Sequence, residues 1–382
     1  MRSFNERAQL LGESIFTTLS AQAKAAGAIN LSQGFPDFEG PQWVRDLAKS
    51  ALDRAGKNQY APAYGAPGFL AALSASYQKH YHLSYDPQGE VLVTNGATEA
   101  LYCALTALLN PGDEVVVFEP YYDSYLASVQ LAGARLKPVT LNLPDLSFDL
   151  EDLRAQVSEK TKLLVLNNPH NPTGKVFSPE ELEAIAQLAV EFDLWVLSDE
   201  VYEFLTFEAP HQPIAQLPGM RERTLTISSV GKTLSLTGWK IGWVCGPREL
   251  IAEVNRIHQY VSFCVAHPLQ EALAEAWPQM DGYLAEFRAT YLNRRNLLVS
   301  GLKDCGLEVL SPQGTYFALA RTPEGTDDLN YCQELITLKK VATIPLSPFY
   351  GRSDQGRRWV RFCFAKREET LLNALVNLRG PA

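Results

Sequence analysis

Between residues 162 and 232 the sequence repeats one pattern: a short apolar run that ends in polar, loop-forming residues. Lys162-Leu163-Leu164-Val165-Leu166 opens into Asn167-Asn168-Pro169-His170-Asn171-Pro172-Thr173-Gly174, a segment dense in turn formers. Leu194-Trp195-Val196-Leu197 delivers Ser198-Asp199-Glu200-Val201-Tyr202, and Thr224-Leu225-Thr226-Ile227 delivers Ser228-Ser229-Val230-Gly231-Lys232. Between the first two runs lies Ser178-Pro179-Glu180-Glu181, with Ser as N-cap, Pro at the first helical position and Glu completing a capping box. Leu182, Ile185, Leu188 and Ala189 follow at helical spacing, which gives one apolar face. Strands alternating with helices predict a parallel sheet with right-handed connections. Asn171, Asp199 and Lys232 are therefore expected along one edge of one sheet, where open α/β sheets bind ligands.

A lone lysine is ordinarily a surface residue. Lys232 is different in its surroundings, set among glycines and hydroxyls just past a strand end, with Lys240 eight positions on. Gly231-Lys232-Thr233 looks like the tail of a nucleotide-phosphate loop, but that motif needs a glycine at position 226, which is Thr. No G-x-G-x-x-G follows a strand and no G-x-S-x-G elbow is present. The strong remaining option is a cofactor aldehyde held as a Schiff base. Pyridoxal phosphate needs a lysine for its aldehyde, a carboxylate for its ring nitrogen and a cradle for its phosphate. Candidates for all three are present.

Further stretches carry a family resemblance. They are Asn30-Leu31-Ser32-Gln33-Gly34-Phe35-Pro36-Asp37-Phe38, Asn58-Gln59-Tyr60, Thr94-Asn95-Gly96-Ala97-Thr98-Glu99-Ala100 and Glu119-Pro120-Tyr121-Tyr122-Asp123, then the three segments above, then Val360-Arg361-Phe362-Cys363-Phe364-Ala365-Lys366. In this order the chain resembles the class I/II pyridoxal-phosphate aminotransferases of the aspartate-aminotransferase fold. It is most similar to their methionine and kynurenine aminotransferase (glutamine transaminase K) branch. The resemblance implies an α/β chain of fold type I: a large domain with a mainly parallel seven-stranded sheet flanked by helices, plus a smaller α+β domain.

It also implies roles, each with a physical reason. Lys232 would form the Schiff base and, once displaced by substrate, move the Cα proton; a lysine amine becomes neutral readily when desolvated. Asp199 would hold the proton of the ring nitrogen. Tyr202 and Asn171 match the pair that hydrogen-bonds the ring oxygen, and Tyr122 the aromatic stacked on the ring. Gly96, Ala97 and Thr98 open a predicted helix after the strand Val91-Leu92-Val93, and helix N-termini hold phosphates. Ser229 and Lys240 would add a hydroxyl and a cation; many relatives carry Arg where this chain has Lys240, a point charge in place of a fork. Arg361 would clamp the substrate α-carboxylate with two parallel hydrogen bonds, helped by the backbone of Gly34 and by Asn171. Phe16 is expected in the side-chain pocket, and Tyr60 at the phosphate of a neighbouring subunit, which requires a homodimer with shared active sites.

No second arginine is placed to pair with a side-chain carboxylate. The stretch His258-Gln259-Tyr260-Val261-Ser262-Phe263-Cys264-Val265 resembles the branch's apolar pocket wall, so Phe16, Phe263 and Tyr122 are expected to favour sulfur-containing or aromatic side chains. Methionine, aromatic or glutamine-like donors with broad specificity are the expectation, and 2-oxo acids the acceptors. Elimination of sulfur groups from cysteine conjugates begins with the same proton abstraction and stays open as an alternative. A cofactor-sensing DNA-binding regulator would carry a winged-helix unit ahead of the fold; with motifs starting by residue 30, none is expected.

The chain has 382 residues, 46% of them apolar, enough for two domains. The expected division is 1–44 as N-terminal arm and part of the small domain, 45–280 as the large cofactor domain, and 281–382 as the small C-terminal domain. Arg361 and Lys232 then lie on different domains, which substrate would draw together. A net charge of −9 argues against nucleic acid or an anionic membrane as partner. No apolar secretory core follows Met1-Arg2-Ser3-Phe4-Asn5-Glu6-Arg7, and no window approaches a membrane helix. Six cysteines without C-x-x-C spacing suit reduced thiols in a cytoplasm. His80-x-His82 lacks further ligands, so no metal is expected.

Overall fold

The run from Thr161 to Asn167 is a strand whose alternate residues enter two different cores: Leu163 and Val165 pack into one apolar layer, Leu164 and Leu166 into the other. Successive side chains on a strand point to opposite faces, so a run that is apolar throughout demands cover on both sides. The same division recurs between Val115 and Val117 on one face and Val116 and Phe118 on the other. This is a sheet sandwiched between helical layers.

The computed structural model describes residues 4–380; Met1–Ser3 and Pro381–Ala382, the outer ends of the expected 1–44 and 281–382 units, lie outside the described residues. Its strands are β1 (Ile29–Asn30), β2 (Val91–Thr94), β3 (Glu114–Glu119), β4 (Arg135–Thr140), β5 (Thr161–Asn167), β6 (Trp195–Asp199), β7 (Thr224–Ser229), β8 (Gly242–Cys245), β9 (Val309–Leu310), β10 (Phe317–Arg321), β11 (Val341–Ala342), β12 (Ile344–Pro345) and β13 (Trp359–Cys363). The seven-stranded sheet has the order β2-β8-β7-β6-β5-β3-β4, with β8 antiparallel to both its neighbours and the other pairs parallel. The fold is the mainly parallel α/β architecture expected from the sequence.

The capping box forms in full: Ser178 accepts from the Glu181 amide while the Glu181 carboxylate accepts from the Ser178 amide. Losing such a cap costs a helix about 1 kcal/mol. The helix it starts, Pro179–Glu191, buries Leu182, Ile185, Leu188 and Ala189 against β5 and β6. Each large aliphatic side chain so buried stabilises the fold by about 1.5–3 kcal/mol.

A second, antiparallel sheet has the order β12-β13-β10-β9. Val309 and Leu310 pair with Ala320 and Leu319, the two strands joined through Ser311-Pro312-Gln313-Gly314. One face packs on the helices Met280–Asp304 and Glu368–Arg379, through Leu298, Leu302, Leu371 and Leu375. The other face carries Leu319, Ile344 and Leu346 against Leu19 and Ala23 of the helix Ile15–Ala26. The N-terminal segment is tied in by β1, which pairs in parallel with β11. Among the described residues no helix is long and apolar enough to cross a membrane. All six cysteines are unpaired.

Candidate active site

The parallel register sets the site. Asn167 of β5 lies beside Asp199 of β6, and Asp199 beside Ile227 of β7, so β5 and β6 end level with one another and β7 runs on two residues further, to Ser229. Lys232 follows in the short helical turn Val230–Thr233 that caps β7. Beyond these ends is a cavity of about 290 Å³. Lys232, Asp199, Tyr202, Asn171, Ser229, Lys240, Gly96, Ala97, Thr98, Tyr122, Gly34, Phe16 and Arg361 all line it. Every candidate except Tyr60 and Phe263 is thus brought together.

Asp199 is buried, and its Oδ2 accepts a hydrogen bond from the Tyr125 hydroxyl at 2.6 Å. Burial lifts its carboxyl to about 6, against the opposing pull of Tyr125 and of the Val201 amide. The Lys232 amine is drawn down to about 8, chiefly by burial, with Arg361 adding in the same direction. It donates to the Tyr316 hydroxyl at 2.7 Å and to the Gly34 carbonyl at 3.1 Å, and stands 5.7 Å from the centre of the Tyr202 ring. An amine so placed reaches its neutral, proton-accepting form far more easily than a surface lysine.

Arg361 projects from β13 with 1% of its surface exposed. Its Nη1 donates to Asn171 Oδ1 and its Nη2 to the Ser32 carbonyl, both at 2.8 Å. Its Cζ stands 3.8 Å from the centre of the Phe317 ring and 5.2 Å from that of Phe16. Each terminal nitrogen carries a second N–H, so the held fork still has donors for a carboxylate. Asn171 is itself held, its amide donating to Asn167 Oδ1 at 2.7 Å, while the Asn167 side chain donates to the Asp199 carbonyl at 2.8 Å.

Another part of the cavity wall suits an anion. The helix Gly96–Leu108 begins at the cavity wall with Gly96 at φ +76°. A Cβ on Gly96 would lie 3.2 Å from Lys240 Nζ, and one on Gly242 would meet the Ala97 nitrogen at 2.6 Å. These two glycines bring the helix N-terminus, its unpaired amides and the Lys240 ammonium onto one spot. Anion cradle, amine, buried carboxylate and guanidinium thus occupy separate positions around one cavity. This donor set fits pyridoxal phosphate together with an amino acid.

Comparison with known proteins agrees. Residues 26–378 match the family model described as aminotransferase class I and II. The chain belongs to this family. The aminotransferase is 44% identical over 378 residues to a probable N-succinyldiaminopimelate aminotransferase of Mycobacterium tuberculosis, covering 95% of each chain. It is 40% identical over 375 residues to the methionine aminotransferase of Escherichia coli, covering 97% of this chain and 96% of that one. The solved structure of the Mycobacterium tuberculosis N-succinyldiaminopimelate aminotransferase superposes with a TM-score of 0.95, at 43% identity and 99% coverage of both chains. The aminotransferase is accordingly a pyridoxal-phosphate-dependent enzyme of fold type I, acting on amino acids and 2-oxo acids. When bound, the cofactor supplies an aldehyde that condenses with amines and a ring that accepts the electron pair left at Cα.

Two sequence expectations need correction or extension. Phe263 does not line the cavity of its own chain: it is 48% exposed, at φ +68°, with its ring edge-on to Tyr60 at 5.5 Å. The break after the helix Arg248–Val261 turns Phe263 outward, a change of direction that residue composition does not encode. Tyr60, 82% exposed, likewise lies outside its own cavity. Tyr125, Tyr316 and Asn167 were missed. Tyr125 had a signal, since it sits one helical turn beyond Tyr122 and shares its face; Tyr316 had none. Among the described residues no cluster of His, Cys, Asp or Glu is arranged to hold a metal.

Proposed function

We propose that this aminotransferase takes its amino group from donors with an uncharged, bulky side chain, with methionine as the leading candidate and aromatic or glutamine-like donors tolerated. The observation that carries the reading is the cation inventory of the cavity: Lys232 and Lys240 stand at the cofactor end, leaving Arg361 alone to meet a donor carboxylate. The walls nearest that guanidinium are the rings of Phe16 and Phe317. A second carboxylate, as in a succinylated donor, would find no partner there and would be costly to desolvate.

In this reading Lys232 carries the cofactor and moves the proton at Cα, Asp199 holds a proton on the ring nitrogen, and Tyr202 and Asn171 donate to the ring oxygen. Tyr122 covers the ring face. Gly96, Ala97, Thr98, Ser229 and Lys240 hold the phosphate, and Arg361 orients the α-carboxylate with Gly34 beside it. The chain divides into an arm (1–44), a cofactor domain (45–280) and a small domain (281–382). A second copy completes the site through Tyr60, a reading supported by an exposed apolar group of Tyr60, Tyr260, Val261 and Phe263, of which Tyr60 and Phe263 touch. A cytoplasmic location accords with the unpaired cysteines.

The test is the absorbance spectrum of the purified holoenzyme with methionine alone, then with a 2-oxo acid. The yellow band is expected to disappear and return, with methionine acting at lower concentration than N-succinyl-diaminopimelate. A band indifferent to methionine, or a succinylated donor acting more efficiently, would sink the donor assignment. Sedimentation of the holoenzyme as a monomer would remove Tyr60 from the site.

A further inference from the structure

Glu119, the last residue of β3, has no solvent exposure. Its Oε2 accepts from the backbone amides of Gly351 at 2.7 Å and Arg352 at 2.9 Å. Its Oε1 accepts from the Ser353 amide at 2.9 Å and the Thr140 hydroxyl at 2.8 Å. All four donors are uncharged, and three are consecutive amides wrapped around one side chain, the geometry of an anion nest. A buried carboxylate is tolerated only when its lone pairs are filled. Glu119 therefore stitches the edge of the seven-stranded sheet to a loop more than two hundred residues away in the chain.

Both ends of that stitch lead to the cavity. Glu119 continues into Pro120-Tyr121-Tyr122, and Tyr122 lines the cavity. The loop continues back into Phe349, whose carbonyl accepts from the Tyr121 amide at 2.8 Å. The buried Phe349 ring packs on Phe16 at 5.6 Å between centroids, and Phe16 lines the cavity beside Arg361. One carboxylate thus joins the segment that carries Tyr122 to the loop that carries the Phe349–Phe16 contact.

We propose that Glu119 is a positioning residue for donor selectivity, fixing the Phe349–Phe16 wall so that a long apolar side chain is held while a methyl group does not reach it. This rests on the reading that the donor side chain meets Phe16. Glu119→Gln places an amide nitrogen against amide donors and breaks the nest. In holoenzyme carrying E119Q, KM for methionine is expected to rise about tenfold and KM for alanine less than twofold, with kcat within threefold and cofactor affinity within twofold. Thr140→Val, which removes one bond of four, is expected to raise the methionine KM about twofold with alanine unchanged, and it decides the matter if E119Q does not fold. Equal rises for both donors, a parallel loss of cofactor, or no change in either variant overturns the proposal. Phe16→Ala separates the two ideas: if it shifts the methionine-to-alanine ratio and the nest variants do not, Glu119 has no such role. If Phe16→Ala leaves the ratio alone, the side-chain reading itself fails and takes the proposal with it.

Discussion

Tyr125 and Asp199 form a buried phenol–carboxylate pair, the hydroxyl donating to Oδ2 at 2.6 Å across 74 positions of sequence. Burial pushes the phenol well above its ordinary range, so it stays a donor at any working pH. On the carboxylate it acts the other way, as the largest influence holding Asp199 below the value that burial alone would set. In its proposed role of keeping a ring nitrogen protonated, Asp199 has to remain ionised, and the Tyr125 hydrogen bond favours that form.

Tyr125→Phe therefore removes a charge-assisted bond worth about 1.5–3 kcal/mol to the ionised form. We expect kcat to fall about tenfold and the acid limb of the pH–rate profile to move upward by about one unit. An unmoved acid limb with normal kcat would show that the pair is structural only.

Stability should follow Asp199 in a definite direction. Its folded pKa, about 6, stands above the ordinary 3.8, so between those values the folded chain binds the proton more tightly than the unfolded one. That contribution is fully present below the ordinary value and is lost as pH rises through about 6. In cofactor-free protein, Asp199→Asn removes this dependence. From pH 5 to 7.5 the wild type should lose about 1.4 kcal/mol relative to D199N, read as diverging urea midpoints. Parallel midpoints would mean that Asp199 titrates normally.

Arg361→Lys keeps the charge and loses the fork. Lysine is a point donor that cannot bridge Asn171 and the Ser32 carbonyl while also gripping a carboxylate in plane. KM for the amino donor should rise about a hundredfold, the equivalent of about 2.7 kcal/mol, while the holoenzyme spectrum stays normal. Loss of bound cofactor in R361K would place the arginine in the wrong half of the site.

Gly242→Ala tests the anion cradle from behind. The new methyl would meet the Ala97 nitrogen and the Gly96 carbonyl carbon at 2.6 Å, backbone atoms that have little room to yield. Overpacking of this kind costs about 1–3 kcal/mol, and here it displaces the helix start proposed to hold the phosphate. Cofactor affinity should weaken by at least tenfold, measured by equilibrium dialysis, with the folded far-ultraviolet spectrum retained. Unchanged affinity would remove the helix N-terminus from the phosphate site.

Most of the strands and the ordering of the site were legible because their signals are local. The run from Lys162 to Leu166, the capping box at Ser178–Glu181 and the polar residues closing each strand depend on periodicity and turn chemistry within a few residues. Parallel pairing then brings Asn167, Asp199 and Ile227 into line, which sets Asn171, Asp199 and Lys232 along one edge of the sheet. The direction of Phe263 was not legible for the complementary reason: a single left-handed residue after a helix redirects the chain, and its apolar side chain reads the same whichever way it faces.

Hydrophobic period and reactive residue type are properties of short segments, so the layered α/β plan and the candidate amine, carboxylate and guanidinium could be read along the chain. The groups that surround them come from packing between distant segments. Tyr125 against Asp199, Tyr316 against Lys232 and Glu119 inside the loop at Gly351–Ser353 are contacts between segments 74, 84 and more than 230 residues apart. Such partners are selected by packing and by the cost of burying an unpaired polar group. That cost exists only once the chain has closed around them.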